Sequence, residues 1–300
     1  MNIALVDVDG HGFPNLALMK LSAWHKQHGD AVEWYSPLFS QAEQIYASKV
    51  FTFTPDYQNF AAGAPNPVRG GTGYDATVKL PDEIERTLPD YSLYPDFTSA
   101  VGFLTRGCIR ACSWCVVPRK EGHIRIVDDI ERIYAGRRDI VLLDNNFLAA
   151  SPDFVSEQLE KAKRLKLRLD FNQALDARLV NERNARELAE TRWMKYIRFS
   201  CDTAAILPHV AHAVELVRGY GYRGEFFIYV LAQDVAEAHD RIMRLTAIDR
   251  KIVPFCQPFR DFVSGGEPPV ELKRLARWCN IQSIRKTVPF EHYKVTKHKN

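Results

Sequence analysis

Between residues 99 and 260 short apolar runs alternate with longer amphipathic segments. The apolar runs are "AVGFLT" (100–105), "DIVLLD" (139–144), "LRLDF" (167–171), "YIRFS" (196–200), "FFIYVL" (226–231) and "KIVPF" (251–255). Helical spacing marks the segments between them: "SPDFVSEQLEKAKRL" with its Ser cap, "NERNARELAE", "AAILPHVAHAVELVRGYG" and "DVAEAHDRIMRLTAI". Six β-α units imply a parallel sheet, because each crossover returns with the same hand. They are too few for an eight-fold barrel, so the pattern predicts an α/β fold built on a partial, TIM-like (β/α)6 barrel. Chemistry in such folds sits at the C-terminal ends of the strands.

The N-terminal third has a different rhythm. "NIALVDVD" (2–9) reads as a buried strand and "NLALMKLSAWHKQHG" as a helix, with Leu16, Met19 or Lys20, Ala23 and Trp24 near helical spacing and Gly29 as its stop. "AVEWYSP" (31–37) reads as a second strand, and this β-α-β opening fades by residue 50. The stretch "AAGAPNPVRGGTGYD" (61–75) is rich in Pro and Gly, the mark of a connector or an active-site flap. The expected organisation is a small α/β segment over 1–62, a connector or lid over 63–98, the barrel over 99–260, and a helix with a basic tail over 261–300. Leu272, Leu275 and Trp278 give that last helix a docking face, and Lys294, Lys297 and Lys299 make the tail basic.

Charge and composition change the picture little. A net charge of +3 argues neither for nor against nucleic acid, which is left open as a partner. No apolar run approaches the length of a membrane span, so no membrane partner is expected. "MNIALVDVDG" carries acids and lacks a basic leader region, so it does not read as a signal peptide. The expected location is the cytoplasm, where thiols stay reduced and clustered cysteines are more often metal ligands than disulfides.

Such a cluster is present. "RGCIRACSWCVVPRKEG" (106–122) holds Cys108, Cys112 and Cys115, half of the six cysteines. Positions i, i+4 and i+7 fit the apolar stripe of a helix, although Gly107 and Pro118 leave room only for a short one. With His123 the three could form a Cys3His zinc site in a non-catalytic binding module. As ligands of a [4Fe–4S] cluster, which usually takes four cysteines, they would leave one iron open to a substrate or cofactor. The isolated Cys201, Cys256 and Cys279 read as small buried residues, the first two at strand ends.

Cys108-x3-Cys112-x2-Cys115, with Trp114 before the last cysteine, resembles the CxxxCxΦC signature of the radical S-adenosylmethionine (SAM) superfamily. The loop "GFLTRGCIRACSWCVVPRKEG" is similar to those of its methylthiotransferase-like and cobalamin-domain branches, and the likeness covers about residues 99–260. It implies a [4Fe–4S] cluster on the three cysteines, SAM on the open iron, a one-electron donor of the flavodoxin or ferredoxin type, and a substrate the sequence does not disclose. By the same resemblance Trp114 shields the cluster or lies near the adenine. Asp144, Asn145 and Asn146 in "LLDNNFL" stand where a Gly-Gly-Glu-Pro-like segment meets the SAM amino group; a tight Asn-Asn turn is the alternative. Asn172, Gln173, Asp176 and Arg178 fall near the mouth, with Arg178 a partner for the SAM carboxylate or a surface arginine. Ser200 and Asp202 match the ribose or carboxylate contacts, with helix capping as the other role for Asp202. Val253 and Phe255 are candidates for adenine packing, and Gln257 for a polar contact.

Methyl-transferring relatives carry an Asp-x-His-x-x-Gly loop in a cobalamin domain. Here Asp9-Gly10-His11-Gly12-Phe13-Pro14 ends in Pro, so the segment resembles a reduced domain from which cobalamin binding is not expected. A cobalamin-assisted radical methylase is the alternative, with His11 on cobalt. Without it, His11 is a loop or substrate-side residue. The glycines of 69–75 are read as a lid or a flexible connector.

Overall fold

The computed structural model describes residues 1–261 and 265–295. Twelve strands are present among them: β1 (Asn2–Asp7), β2 (Ala31–Trp34), β3 (Gln44–Ser48), β4 (Val68–Gly70), β5 (Ala100–Gly102), β6 (Thr105–Arg106), β7 (Arg125–Ile126), β8 (Asp139–Leu142), β9 (Arg168–Phe171), β10 (Tyr196–Ser200), β11 (Glu225–Ala232) and β12 (Ile252–Pro258). The α-helices are α1 (Leu16–Gln27), α2 (Asp82–Glu85), α3 (Val117–Lys120), α4 (Ile130–Ile133), α5 (Pro152–Arg164), α6 (Glu182–Glu190), α7 (Leu207–Gly219), α8 (Val235–Ile248), α9 (Val270–Asn280) and α10 (Gln282–Thr287). The chain forms two compact units: Met1–Val101 with Ala111–Gly122, and Gly102–Arg110 with the residues from His123 onward.

The first unit is built on a four-stranded parallel sheet in the order β2-β1-β3-β4. Ala4, Val6, Ile45 and Ala47 make one buried face, covered by Tyr35, Tyr57, Phe60 and Tyr74. Helix α1 starts at Asn15, whose side-chain oxygen accepts the Leu18 N–H at 3.3 Å. This sheet is larger than the sequence pattern suggested. "QIYAS" is a full central partner of β1, and Val68–Gly70, expected in a connector, is an edge strand. The glycines that follow are required by packing. Gly71 has φ +92°, and a Cβ on Gly73 would lie 2.7 Å from the Phe51 carbonyl oxygen. The segment is therefore fitted against Lys49–Phe51.

The second unit holds the expected β-α alternation. Strands β8 and β9 pair in parallel, and the Leu143 N–H donates to the Gly102 carbonyl at the end of β5. Strands β10, β11 and β12 form a parallel sheet in chain order. Parallel bridges at Leu169–Trp193 and Leu175–Phe199 connect the β9 region to that of β10. Its architecture is α/β with parallel sheets.

Local chemistry explains the helices. Ser151 caps α5 by accepting the Phe154 N–H, Pro152 occupies its first turn, and Val155, Leu159 and Ala162 are buried at helical spacing. Asn181 and Asn184 close a reciprocal capping box on α6, and Asp234 caps α8. Helix α9 buries Leu272, Leu275 and Trp278, the expected docking face. It packs on β12, where Asn280 exchanges two hydrogen bonds with the Cys256 backbone, at 2.7 and 3.0 Å. Lys294 is exposed, while Lys297 and Lys299 lie outside the described residues. Among the described residues no helix is long and apolar enough to cross a membrane.

Candidate functional site

In the second unit the cysteine segment springs from a two-stranded antiparallel ribbon, β6 paired with β7. A buried carboxylate fixes the start of that ribbon. Asp144, at the exit of β8 and 1% exposed, accepts the Leu104 N–H at 3.1 Å, the Thr105 N–H at 2.6 Å and the Thr105 hydroxyl at 2.7 Å. Burial pushes its pKa up to about 6 against the opposing pull of these bonds. Both oxygens are engaged by the chain itself, so Asp144 is a positioning residue for the loop. Asn145 does the same one residue on: its side-chain oxygen accepts the Gly107 N–H at 2.9 Å.

Asn146 reaches the sulfur. Its Nδ2 donates to Cys108 Sγ at 3.3 Å and to Asp176 Oδ2 at 3.4 Å, and the Arg110 N–H also donates to Cys108 Sγ at 3.3 Å. Asn146 Oδ1 is buried with no hydrogen-bond partner. A buried acceptor of this kind calls for a donor from outside the chain, since orphaned polar atoms are costly. Asp176 lies beneath, 7% exposed. Burial alone would raise its pKa, but the guanidiniums of Arg178 (2.6 and 3.0 Å) and Arg110 (3.1 Å) hold it below the usual carboxylate range. Arg178 is thus bidentate to Asp176, the geometry anticipated for a ligand carboxylate but made here within the chain.

A second group of candidates shares one face of the β10-β11-β12 sheet. Side chains along these strands alternate between buried and half-buried. The buried set includes Phe199, Ile228 and Cys256, and the half-buried set includes Ser200, Tyr229 and Phe255, which are register partners across the three strands. Val253 and Gln257 lie on that same face, with Gln257 exposed. Arg198 crosses it to form a two-pronged ion pair with Asp170 on β9, at 2.5 and 2.7 Å. The Tyr229 hydroxyl lies 3.4 Å from Arg198 and donates to the Asn172 carbonyl at 3.1 Å. Gln173 is exposed. Asp202 follows β10. It does not cap the next helix, because the flanking Thr203 and Ile206 positions carry no side-chain cap and the Asp202 carboxyl accepts no hydrogen bond among the described residues. Burial raises its pKa, with Arg241 and Arg178 opposing.

Sequence reasoning missed Arg241. It reads as a polar position on α8, yet it is 1% exposed. Its guanidinium donates to the carbonyls of Cys201 (2.9 Å) and Leu231 (2.6 Å), tying together the C-terminal ends of β10 and β11.

In the first unit, the Cys115 N–H donates to the Cys112 carbonyl at 3.1 Å, and the Val117 N–H donates to Cys115 Sγ at 3.5 Å. No helix runs through 108–115, which removes the apolar-stripe alternative. Trp114 is half-buried, and the Lys120 ammonium donates to the Thr72 hydroxyl of the Gly-rich segment. Farther along, the ring of His11 stacks on Trp34 with centroids 4.2 Å apart and meets Tyr94 edge-on. Asp9 holds the chain after β3 through the Val50 and Phe51 N–H groups and the Thr54 hydroxyl.

All six cysteines are thiols rather than disulfides, and they fall into two classes. Cys201, Cys256 and Cys279 are buried, and burial pushes their thiols up to about 12, 12 and 11, well away from the thiolate a metal needs. Cys108 and Cys112 are half-buried and Cys115 is exposed. Among the described residues no group of three or more His, Cys, Asp and Glu side chains is gathered so as to hold a metal ion, with or without His123. The three loop thiols suit an iron–sulfur cluster in their donor chemistry: they are accessible, and two of them accept N–H hydrogen bonds at sulfur. No protein-family model matches the chain, and no curated protein matches it at a significant level.

Proposed function

We propose that the chain is a radical SAM enzyme acting on a substrate still to be identified. One observation carries the reading: a Cys-x3-Cys-x2-Cys set of accessible thiols whose first sulfur accepts a side-chain N–H from Asn146. Cys108, Cys112 and Cys115 would hold a [4Fe–4S] cluster, and the iron they leave open would take SAM. When bound, the cluster supplies the single electron that cleaves SAM to methionine and a 5′-deoxyadenosyl radical.

The chain's own residues then have definite tasks. Asp144 and Asn145 anchor the start of the loop through its backbone N–H groups. Asn146 lends an N–H to the Cys108 sulfur and keeps its buried carbonyl oxygen for a donor, for which the SAM amino group is suited. Asp176 holds Arg110 and Arg178 beside that sulfur and offsets one of their two charges. The half-buried face of Ser200, Tyr229, Val253 and Phe255 offers an apolar bed with a few polar groups for an adenosyl moiety.

On this reading β5 and β8–β12 form the arc of a partial (β/α)6 barrel with its chemistry at the C-terminal strand ends. The reduced thiols suit the cytoplasm, and a flavodoxin- or ferredoxin-type protein would deliver the electron. The test is electron paramagnetic resonance on anaerobically reconstituted, dithionite-reduced protein. A [4Fe–4S]+ signal that changes shape when SAM is added, and that is lost in C112A, supports the reading. A signal indifferent to SAM would sink it.

A further inference from the structure

Opposite the Cys108 end of the second unit, the strands begin in a row of cations. Because β8–β9 and β10–β12 run parallel, the residues just before each strand line up on one edge. Arg138 precedes β8, Arg168 begins β9, Lys195 precedes β10, Arg223 lies just before β11, and Lys251 precedes β12. Backbone hydrogen bonds show that these positions are neighbours: the Arg168 N–H donates to the Arg138 carbonyl, the Leu169 N–H to Arg192, and the Phe226 N–H to Lys251, at 2.8, 2.9 and 3.0 Å. One cationic position per strand gives a repeat of about 4.8 Å between adjacent strands.

The acids on this edge, Asp139, Asp249 and Glu225 beside Lys195, offset only part of it. Asp139 is held by Arg168 at 2.6 Å, and Asp249 by Arg218 at 2.7 Å. Exposed Arg138, Arg192 and Arg250 have no carboxylate partner among the described residues. At the β11–β12 end Arg218, Arg223, Arg250 and Lys251, with Asp249, line a cleft of about 280 Å³. In a chain of net charge only +3, this is a concentration of one sign, whereas an ordinary solvated surface intersperses both.

We propose that this edge binds the phosphodiester backbone of a nucleic acid. Regular spacing and a preference for Arg favour phosphate over carboxylate partners, since the planar guanidinium fork matches phosphate oxygens in pairs. An acidic redox protein would gain nothing at this end of the strands, which is the one remote from Cys108. The edge carries no base-reading pattern, so it positions a strand and does not select its sequence. Setting aside a redox partner rests on the reaction proposed for the cysteine loop; the rest of the inference is independent of it.

Fluorescence anisotropy on the full chain tests it, with a labelled oligouridylate of roughly 20 nucleotides as probe and oligodeoxythymidylate of the same length as a second arm. The six cations of this edge outside its ion pairs, Arg138, Arg192, Lys195, Arg223, Arg250 and Lys251, give about six phosphate contacts and a slope of log K against log salt of roughly −4. Arg138→Gln/Arg192→Gln/Arg250→Gln removes three exposed cations that the fold does not use. It should weaken binding roughly tenfold or more at low salt and reduce the slope by about 2. The corresponding triple Lys variant should keep the slope, and equal binding of the two oligonucleotides would assign recognition to the backbone alone. Unchanged affinity and slope in the Gln variant, or no binding to either oligonucleotide below about 100 μM at low salt, overturns the proposal. Displacement by polyglutamate as effective as by oligonucleotide, charge for charge, also overturns it in favour of an acidic protein partner.

Discussion

Replacing Arg241 with methionine keeps most of the side chain's length and removes the guanidinium. The Cys201 and Leu231 carbonyls at the ends of β10 and β11 then lose their donors. A carbonyl orphaned in the interior costs about 1–3 kcal/mol. Removing a desolvated charge whose Nε has no partner returns part of that. The expected net loss is about 3 kcal/mol, a large fraction of a domain's stability. Glu237 accepts from the same guanidinium at 3.0 Å, but its side chain is 43% exposed, so water can replace the contact. E237Q should therefore cost less than about 0.5 kcal/mol. Urea unfolding followed by circular dichroism, with the m-value checked for constancy, measures both. A loss below about 1 kcal/mol in R241M, or equal losses in the two variants, would refute the clamp.

Three further outcomes are expected. The Asp144 carboxyl, with its pKa pushed up to about 6, takes up a proton in the folded chain between pH 4 and 6 that the unfolded chain does not. Its contribution is thus fullest below pH 4 and lost as the pH rises through 6; measured by urea unfolding, wild type should lose up to about 3 kcal/mol relative to D144N between pH 4 and 7. On the cluster reading, N146A removes an N–H donor from the Cys108 sulfur and should lower the reduction midpoint by about 40 mV, equivalent to about 1 kcal/mol for one electron, in a redox titration. Iron analysis should find C201A, C256A and C279A at wild-type content and C108A depleted, because the first three thiols are buried and held protonated.

The strands that the sequence reveals best are those covered by helices, because burial leaves them as continuous apolar runs. Five of the six runs became strands within a few residues of their expected ends, and 100–105 divided into β5 and the start of β6. β3 and β4 escaped notice for physical reasons. "QIYAS" mixes polar and apolar positions, and Val68–Gly70 is a three-residue edge strand beside proline and glycine. Side-chain pairing across the sheet was less legible than strand position. Asp170 with Arg198, and Arg241 with two strand-end carbonyls, depend on neighbours 28, 40 and 10 residues away, which no local spacing announces. The run Asp144-Asn145-Asn146 drew attention through its resemblance to a cofactor-binding segment. The structure divides it into two residues that hold the loop backbone and one that meets the sulfur.

The most direct measurement is SAM turnover on anaerobically purified, iron-reconstituted protein under dithionite, with iron and zinc counted in the same sample. About four irons per chain together with 5′-deoxyadenosine, both lost in C112A, is the expected result. One zinc per chain, little iron and intact SAM would show instead that Cys108, Cys112 and Cys115 serve a structural metal site.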